Sequence, residues 1–154
     1  MISDVTFERT SYQGPPAKFE AGTGNIADAV GLGTALDYVS TLGLPIIEQY
    51  EHQLLKYATT ALRTVPGLRL IGTAPDKASV LTFVLDGYQP EEVASALDRL
   101  GIAVRAGHHC AQPILRRYGL ESAVRPSLAM YNTRAEVDLL VAALCRLAAD
   151  RGRR

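Results

Sequence analysis

The residues best suited to chemistry stand in one short run, Gly107-His108-His109-Cys110. Cys110 follows two histidines, and Arg105 lies shortly before it. Cationic groups near a thiol favour the thiolate, which is the nucleophilic form of cysteine. The run therefore predicts a nucleophilic sulfur at Cys110, and a small buried cysteine without reactivity is the alternative that spacing alone leaves open.

His108, His109 and Cys110 are also residue types that bind metal ions. Adjacent side chains diverge, whereas structural zinc sites draw their ligands from pairs spaced by two or more residues. His52 is the remaining histidine, and its polar neighbours on a helix indicate a surface position. Cys145 lies beside Leu144 in an amphipathic helical pattern, which indicates packing. We therefore expect no metal site.

Two further positions are suited to binding anions. Thr23 stands between glycines where a helical pattern opens, so its hydroxyl and the nearby backbone N–H groups can hold a phosphate. A helix start that needs flexible glycines explains the same pattern, and a Rossmann site is not implied because no clear strand precedes it. Arg125 precedes Pro126, which favours extended backbone and gives the guanidinium a defined direction. Such an arginine can bind a carboxylate through two parallel hydrogen bonds, and a surface ion pair is the alternative.

Length and charge narrow the classes of function. The 154 residues suit a single domain, for which about 100 to 200 residues are usual. The 16 basic and 16 acidic side chains cancel, so the chain has no electrostatic footprint for nucleic acid or for an anionic membrane. Two cysteines are too few for a disulfide scaffold, and the first residues lack the basic and apolar runs of a secretion signal, which predicts a cytoplasmic location.

The segments that must position these residues show clear helix and strand patterns. The first 18 residues predict a short extended piece and then an irregular loop. We expect helices over 25–42, 45–65, 90–100 and 114–118, with a final helix that Thr133 and Glu136 open through a capping box. Expected strands cover 68–71, 80–85, 102–105 and 124–130. The sum is an α+β fold, a small sheet with helices packed against it.

Three motifs together connect the chain to a known family. They are the runs 19–23 (FEAGT), 101–113 (GIAVRAGHHCAQP) and 125–133 (RPSLAMYNT). In order and spacing they resemble the Suf-type (group II) cysteine desulfurases and selenocysteine lyases, which are pyridoxal-phosphate (PLP) homodimers of the class V aminotransferase type. The resemblance implies the C-terminal small domain of a fold-type I PLP-dependent transferase over 25–154. Residues 1–24 would then be an extended N-terminal segment that carries the phosphate-loop motif.

The resemblance also implies roles for five residues. Cys110 would attack the sulfur of PLP-bound L-cysteine, leaving a persulfide on Cys110 and releasing L-alanine, with the sulfur passed to an acceptor protein for iron–sulfur cluster assembly or other delivery. Arg125 would bind the substrate carboxylate. Arg105 and His109 match positions that surround the nucleophile and contact substrate. Thr23 would donate to the PLP phosphate held by the partner subunit of a homodimer.

The chain departs from the family in several places. Gly24 stands where proline is common, and Pro126 stands where a small residue with a backbone N–H is usual. PLP attachment needs a lysine, and the lysines here are Lys18, Lys56 and Lys77, none of which has the family's His-Lys setting. We therefore expect no covalent PLP on this chain alone, and whether it acts as an enzyme depends on a PLP-binding large domain.

Three hypotheses for function follow from these observations. In the first, the chain is the substrate-gripping and sulfur-carrying part of a cysteine desulfurase whose large domain is supplied separately. In the second, Cys110 is a PLP-independent persulfide carrier that receives sulfur by thiol exchange. In the third, the chain is an inactive interaction module that docks through an exposed apolar surface.

Overall fold

The computed structural model describes residues 1–72 and 74–151, apart from the side chain of Arg151. The chain divides into two compact units, Met1–Leu44 and Pro45–Arg154, and each is described by itself. This division falls at the far end of the first long helix, whereas the predicted boundary lies before that helix, after Gly24. The assignment of 1–24 and 25–154 to separate parts of a larger enzyme stays a prediction.

The first unit opens with a hairpin. Strands β1 (Ile2–Val5) and β2 (Thr10–Tyr12) pair antiparallel. The Thr6 hydroxyl closes their turn by accepting hydrogen bonds from the backbone N–H groups of Glu8 and Arg9 at 3.2 and 3.1 Å. The predicted extended start is confirmed, but the return strand β2 is a finding of the structure. A single 3-10 turn, Ala17–Phe19, follows.

Helix α1 spans Ile26–Leu42. It begins after Asn25, whose side-chain oxygen accepts a hydrogen bond from the N–H of Asp28 at 3.2 Å, and it ends at Gly43 with φ 88°. The predicted helix is confirmed. All of its residues are described and none is buried, so the apolar side chains, Val30 and Leu36 among them, are exposed. This exposure fits the third hypothesis, in which an exposed apolar surface mediates docking.

The second unit holds the main sheet and its helices. The strands are β3 (Leu68–Ile71), β4 (Thr82–Leu85), β5 (Arg105–Gly107) and β6 (Ala123–Arg125), and the helices are α2 (Leu44–Leu62, which starts at the unit boundary), α3 (Pro90–Asp98), α4 (Gln112–Arg117) and α5 (Arg134–Arg151). The sheet order is β3-β4-β6-β5 and every pair is antiparallel. This confirms an α+β fold with a small sheet. The exposed Arg69 lies within β3, an outer strand of the sheet.

Helix starts in this unit follow the sequence signals. Pro90 occupies the first turn of α3, and the N–H of Gln89 donates to the Glu92 carboxylate at 2.8 Å. The predicted capping box of α5 is confirmed, because Thr133 N–H donates to Glu136 Oε2 at 2.7 Å and Glu136 N–H donates to Thr133 Oγ1 at 3.3 Å. The hydrogen bond from the Thr133 backbone holds the pKa of Glu136 below its usual value.

The core fixes β4 and β6 against the helices. Phe83 on β4 is fully buried and lies opposite Val124 on β6, which is also fully buried. The same cluster takes in side chains from α2, α3 and α5: Leu54, Leu55, Ala58, Leu62, Val93, Leu97, Val137, Leu140, Ala143 and Leu144. Burying one such large apolar side chain contributes about 1.5–3 kcal/mol. The position of β6 is therefore set by packing that surrounds it.

Three strands differ from their predicted bounds: β4 begins at Thr82 instead of 80, and β5 and β6 differ for reasons of hydrogen bonding. β6 stops at Arg125 instead of continuing to 130, because Pro126 has no N–H to donate to a ladder. The Pro126 carbonyl accepts from Leu81 N–H at 3.1 Å instead. β5 begins at Arg105, where the segment predicted as 102–105 ends, because only Arg105–Gly107 lies opposite β6. Ile102 N–H donates instead to the Leu97 carbonyl at the end of α3, at 3.0 Å.

Over the described parts of the chain, no single helix has the length and apolar composition needed to cross a membrane. Among the described helices, one pair, α1 and α2 with the break at Gly43, reaches that length and composition when taken together.

Candidate active site

Cys110 lies in a tight turn between β5 and α4. The N–H of Ala111 donates to the His108 carbonyl at 2.8 Å, and both central residues of the turn have positive φ, 55° at His109 and 56° at Cys110. Neither residue is glycine, so each left-handed conformation costs about 1–2 kcal/mol. Strain of this kind is concentrated at functional sites. The free thiol of Cys110 is exposed, so the alternative of a buried cysteine does not hold, and its reactivity stays a prediction.

His108 contacts the backbone of the cysteine. Its Nδ1 accepts a hydrogen bond from the N–H of Cys110 at 3.0 Å, and the ring itself is exposed. The sequence leaves two roles open for His108, orientation of the loop or transfer of a proton, and this contact is of the first kind. The relevant signal is a side-chain acceptor two residues before an amide, the spacing that Asn and Asp use in turns.

His109 points the other way and ties the turn to β6. Its Nε2 lies 2.9 Å from the carbonyl oxygen of Ala123. A carbonyl only accepts, so Nε2 carries the proton of this hydrogen bond. Burial lowers the pKa of His109 below its usual value of 6.5, against the effect of the Ala123 bond, and the charges of Arg125 and Arg105 lower it further. The neutral ring therefore keeps a buried Nδ1 lone pair, and no described residue donates to it.

Arg105 and Arg125 form the cationic part of the site. Cross-strand partners lie on the same face of a sheet, and the register pairs these two arginines directly. Arg125 is half-buried, and its Nε–H has no acceptor among the described residues. Among those residues the only ion pair within 4.0 Å joins Arg116 and Glu121, so neither arginine is neutralised by a carboxylate. An anion with more than one acceptor oxygen fits this pair.

The structure brings together four of the five predicted site residues. Arg105, His109, Cys110 and Arg125 come from β5, the following turn and β6. Thr23 belongs to the other compact unit, where it is exposed just before the capped start of α1. Over the described residues, no group of three or more His, Cys, Asp or Glu side chains is arranged to hold a metal ion.

Within the second unit, Lys56 and Lys77 do not fit covalent attachment of PLP beside Cys110. Lys18 lies over the Tyr12 ring in the first unit, with its Nζ 5.7 Å from the ring centroid. Lys56 and Lys77 line a cavity of about 390 Å³ between α2 and the segment after β3, a cavity to which Cys110 does not contribute. Lys77 Nζ donates to the Gly72 carbonyl at 3.3 Å. No chemical step through an attached PLP is derived from these residues.

Comparison with known proteins shows the family to which this chain belongs. The family model described as Aminotransferase class-V matches residues 1–140. The chain belongs to the class-V aminotransferase family. Structures of class-V relatives share its fold: a cysteine desulfurase of Thermococcus onnurineus NA1 in its apo form matches 96% of the chain and 37% of its own length, with TM-score 0.80 and 36% identity. A cysteine desulfurase of Escherichia coli in an S-sulfonic acid form matches 95% of the chain and 36% of its own length, with TM-score 0.77 and 37% identity.

Curated relatives in the class-V family carry the same name. A cysteine desulfurase of Synechococcus elongatus is 67% identical over 96% of the chain, and one of Serratia proteamaculans is 51% identical over 96%. The chain covers 24% and 36% of those two proteins, so it spans about a quarter to a third of its relatives. Homologous cysteine desulfurases are PLP enzymes of fold type I, which confirms the predicted fold.

Proposed function

We propose that this chain is the C-terminal part of a Suf-type cysteine desulfurase, in which Cys110 takes sulfur from L-cysteine as a persulfide. The observation that carries the proposal is the exposed Cys110 thiol in a strained turn that follows β5, the strand on which Arg105 pairs with Arg125, two arginines that no carboxylate among the described residues neutralises. The high identity to proteins named cysteine desulfurase supports it. The activity belongs to the longer protein, because the chain covers only a fraction of those relatives.

The remainder of the enzyme supplies PLP, which withdraws electrons from the α-carbon of a bound amino acid. The residues of this chain bind and react. Arg125, assisted by Arg105, holds the substrate carboxylate through charge-assisted hydrogen bonds. The Cys110 thiolate attacks the substrate Sγ, so an S–S bond forms as the C–S bond breaks. The electron pair of the C–S bond goes to the β-carbon, which takes a proton, and the products are the Cys110 persulfide and L-alanine.

The remaining parts of the proposal concern binding and delivery. His109, neutral because it is partly buried, holds the turn against β6 through the Ala123 carbonyl, and its contact with substrate rests on the family resemblance alone. Thr23 donates to the phosphate of PLP held by the partner subunit of a homodimer. The persulfide sulfur passes to an acceptor protein in the cytoplasm for iron–sulfur cluster assembly or other delivery.

The test supplies the missing part. The chain is mixed with the lysine-bearing remainder of the Synechococcus elongatus relative, L-cysteine labelled with ³⁴S is added, and alanine release is followed together with the intact mass of the chain. We expect alanine release and a labelled sulfur adduct on Cys110, and loss of both in Cys110→Ala but not in Cys145→Ala. Equal alanine release from Cys110→Ala would contradict the proposal.

A PLP-independent persulfide carrier is the second candidate. The exposure of Cys110 favours it, since thiol exchange with a protein persulfide requires access and no cofactor. A labelled adduct that forms on Cys110 when a separate complete desulfurase is the donor, without alanine release in the mixture above, would select the carrier. Absence of an adduct in both experiments would select the inactive interaction module.

A further inference from the structure

We infer that His108 is a positioning residue for Cys110, with its Nδ1 holding the Cys110 amide so that the thiol keeps its exposed, left-handed presentation. The inference deepens the proposed function and rests on it, since it concerns the sulfur that would receive the persulfide. No comparison assigns a role to His108, and the sequence alone does not choose between orientation of the loop and proton transfer.

The residues at the centre of the turn do not favour its backbone conformation, so another contact must stabilise it. Positive φ at both central residues is the pattern of a type I′ turn, which favours Gly, Asn and Asp at those positions. His109 and Cys110 stand there instead, each with a Cβ. The Ala111 N–H bond to the His108 carbonyl closes the outer ring of the turn, but it leaves the Cys110 amide free to rotate away.

The second hydrogen bond captures that amide. Cys110 N–H donates to His108 Nδ1 at 3.0 Å, which is the bond that an Asn side chain makes to the amide two residues on. For Nδ1 to accept, the ring must be neutral with its hydrogen on Nε2. His108 therefore acts on the reaction through Cys110 and is not itself a catalytic residue.

The two adjacent histidines divide the work. His109 is half-buried and fastens the turn to the Ala123 carbonyl of β6, so its loss would disturb the sheet. The His108 side chain is exposed, and among the described residues its ring has one hydrogen-bond partner, the amide of Cys110. Removal of the His108 ring should therefore alter the presentation of the thiol without unfolding the domain.

Three variants of the full chain test the inference. His108→Ala removes the acceptor, His108→Asn replaces it with an acceptor that reaches the same amide, and His52→Ala is the control for loss of an exposed histidine on α2. Hydrogen exchange at the Cys110 amide is measured by NMR on each chain alone. Turnover is measured with each chain mixed with the lysine-bearing remainder, and thermal unfolding checks the fold.

We expect His108→Ala to exchange the Cys110 amide about tenfold faster, the effect of losing one hydrogen bond. Its kcat should fall by about tenfold with KM for L-cysteine within about twofold, because the loss concerns the nucleophile and not the carboxylate site. His108→Asn should recover most of both quantities, and His52→Ala should match the parent chain.

Equal exchange and equal kcat in His108→Ala and the parent would overturn the inference, and so would a His108→Asn variant as impaired as His108→Ala. Amide exchange does not depend on sulfur transfer. If the parent chain takes no sulfur but His108→Ala still exchanges the Cys110 amide faster, the hydrogen bond from that amide to His108 is supported while the proposed function fails. If the parent chain does take sulfur but His108→Ala exchanges the Cys110 amide at the parent's rate, only the positioning role of His108 is refuted.

Discussion

Arg105 and Arg125 lie directly opposite each other across β5 and β6, so two guanidinium groups share one face of the sheet beside the turn that carries Cys110. Like charges in this arrangement destabilise a strand pair. The arrangement becomes favourable when an anion lies between the two groups. The register of two short strands therefore prepares the place where a carboxylate would sit.

The like charges of Arg105 and Arg125 should lower the stability of the chain while they favour binding of an anion. Arg105→Gln removes one of the two like charges, so we expect the free energy of unfolding at low salt to rise by about 0.2–1 kcal/mol. High salt should reduce the difference, because it screens exposed charges. Urea unfolding at low and high ionic strength measures both effects. A variant less stable than the parent at low salt would mean that another contact of Arg105 dominates.

Arg125 should control substrate binding. Arg125→Gln removes a charged donor, worth about 1.5–3 kcal/mol, so we expect KM for L-cysteine to rise by roughly tenfold to a hundredfold in the mixture with the lysine-bearing remainder. Arg125→Lys should recover little, because an ammonium group cannot form two parallel hydrogen bonds with a carboxylate. Arg117→Gln, on the exposed side of α4, is the matched control and should leave KM unchanged. Full recovery by lysine would argue against two-point binding.

His109 should make stability depend on pH. Because its folded pKa lies below 6.5, the unfolded chain takes the proton first as pH falls. The stability contribution of His109 is therefore complete above pH 6.5 and is lost as pH falls from 6.5 towards the folded pKa. His109→Gln keeps a donor for the Ala123 carbonyl and should remove this part of the acid sensitivity. Urea unfolding from pH 5 to 8 measures the slopes, and identical slopes in both chains would refute the prediction.

Phe83 should be the most costly core position near the site. Its side chain is fully buried and lies opposite Val124 on β6, so Phe83→Ala should reduce the free energy of unfolding by about 3–5 kcal/mol. Leu139→Ala is the comparison, because 61% of Leu139 is exposed and its truncation should cost less than about 0.5 kcal/mol. Denaturant unfolding measures both. Similar losses in the two variants would show that burial does not set the cost.

The exposed apolar side chains of α1 should matter for association and not for the stability of the chain. Leu36 is 59% exposed, so Leu36→Glu should leave thermal unfolding of the chain nearly unchanged. We expect it to weaken binding to the lysine-bearing remainder, because an exposed apolar surface marks a contact with another body. Asp37→Glu, its neighbour on the helix, provides a control that conserves charge. Undiminished binding of Leu36→Glu would place the contact elsewhere.

The sequence predicted most of the elements because their signals are local. Thr133 and Glu136 marked the start of α5, and Gly43 marked the end of α1, each through a contact within a few residues. Strand ends were less predictable because they depend on a partner: β5 extends only where β6 faces it, and β6 ends where Pro126 removes a donor.

The candidate site was predicted in composition but not in geometry. Residue types in the run ending at Cys110 indicated a nucleophile, and the pairing of Arg105 with Arg125 required the register of two strands that are distant in sequence. The left-handed turn could not be predicted, because His109 and Cys110 are not residues that such turns favour. For α1 the spacing predicted the helix but not that its apolar side chains Val30 and Leu36 would be exposed.

Arg69 has a consequence for how molecules of this chain meet. It occupies an outer strand whose backbone could otherwise serve as a template for another copy. A strand from another molecule that paired with β3 would lie beside the positive charge of Arg69. In a pair of identical chains the two arginines would repel each other. The positive charge on β3 therefore disfavours edge-to-edge pairing of sheets from different molecules, even in concentrated solution.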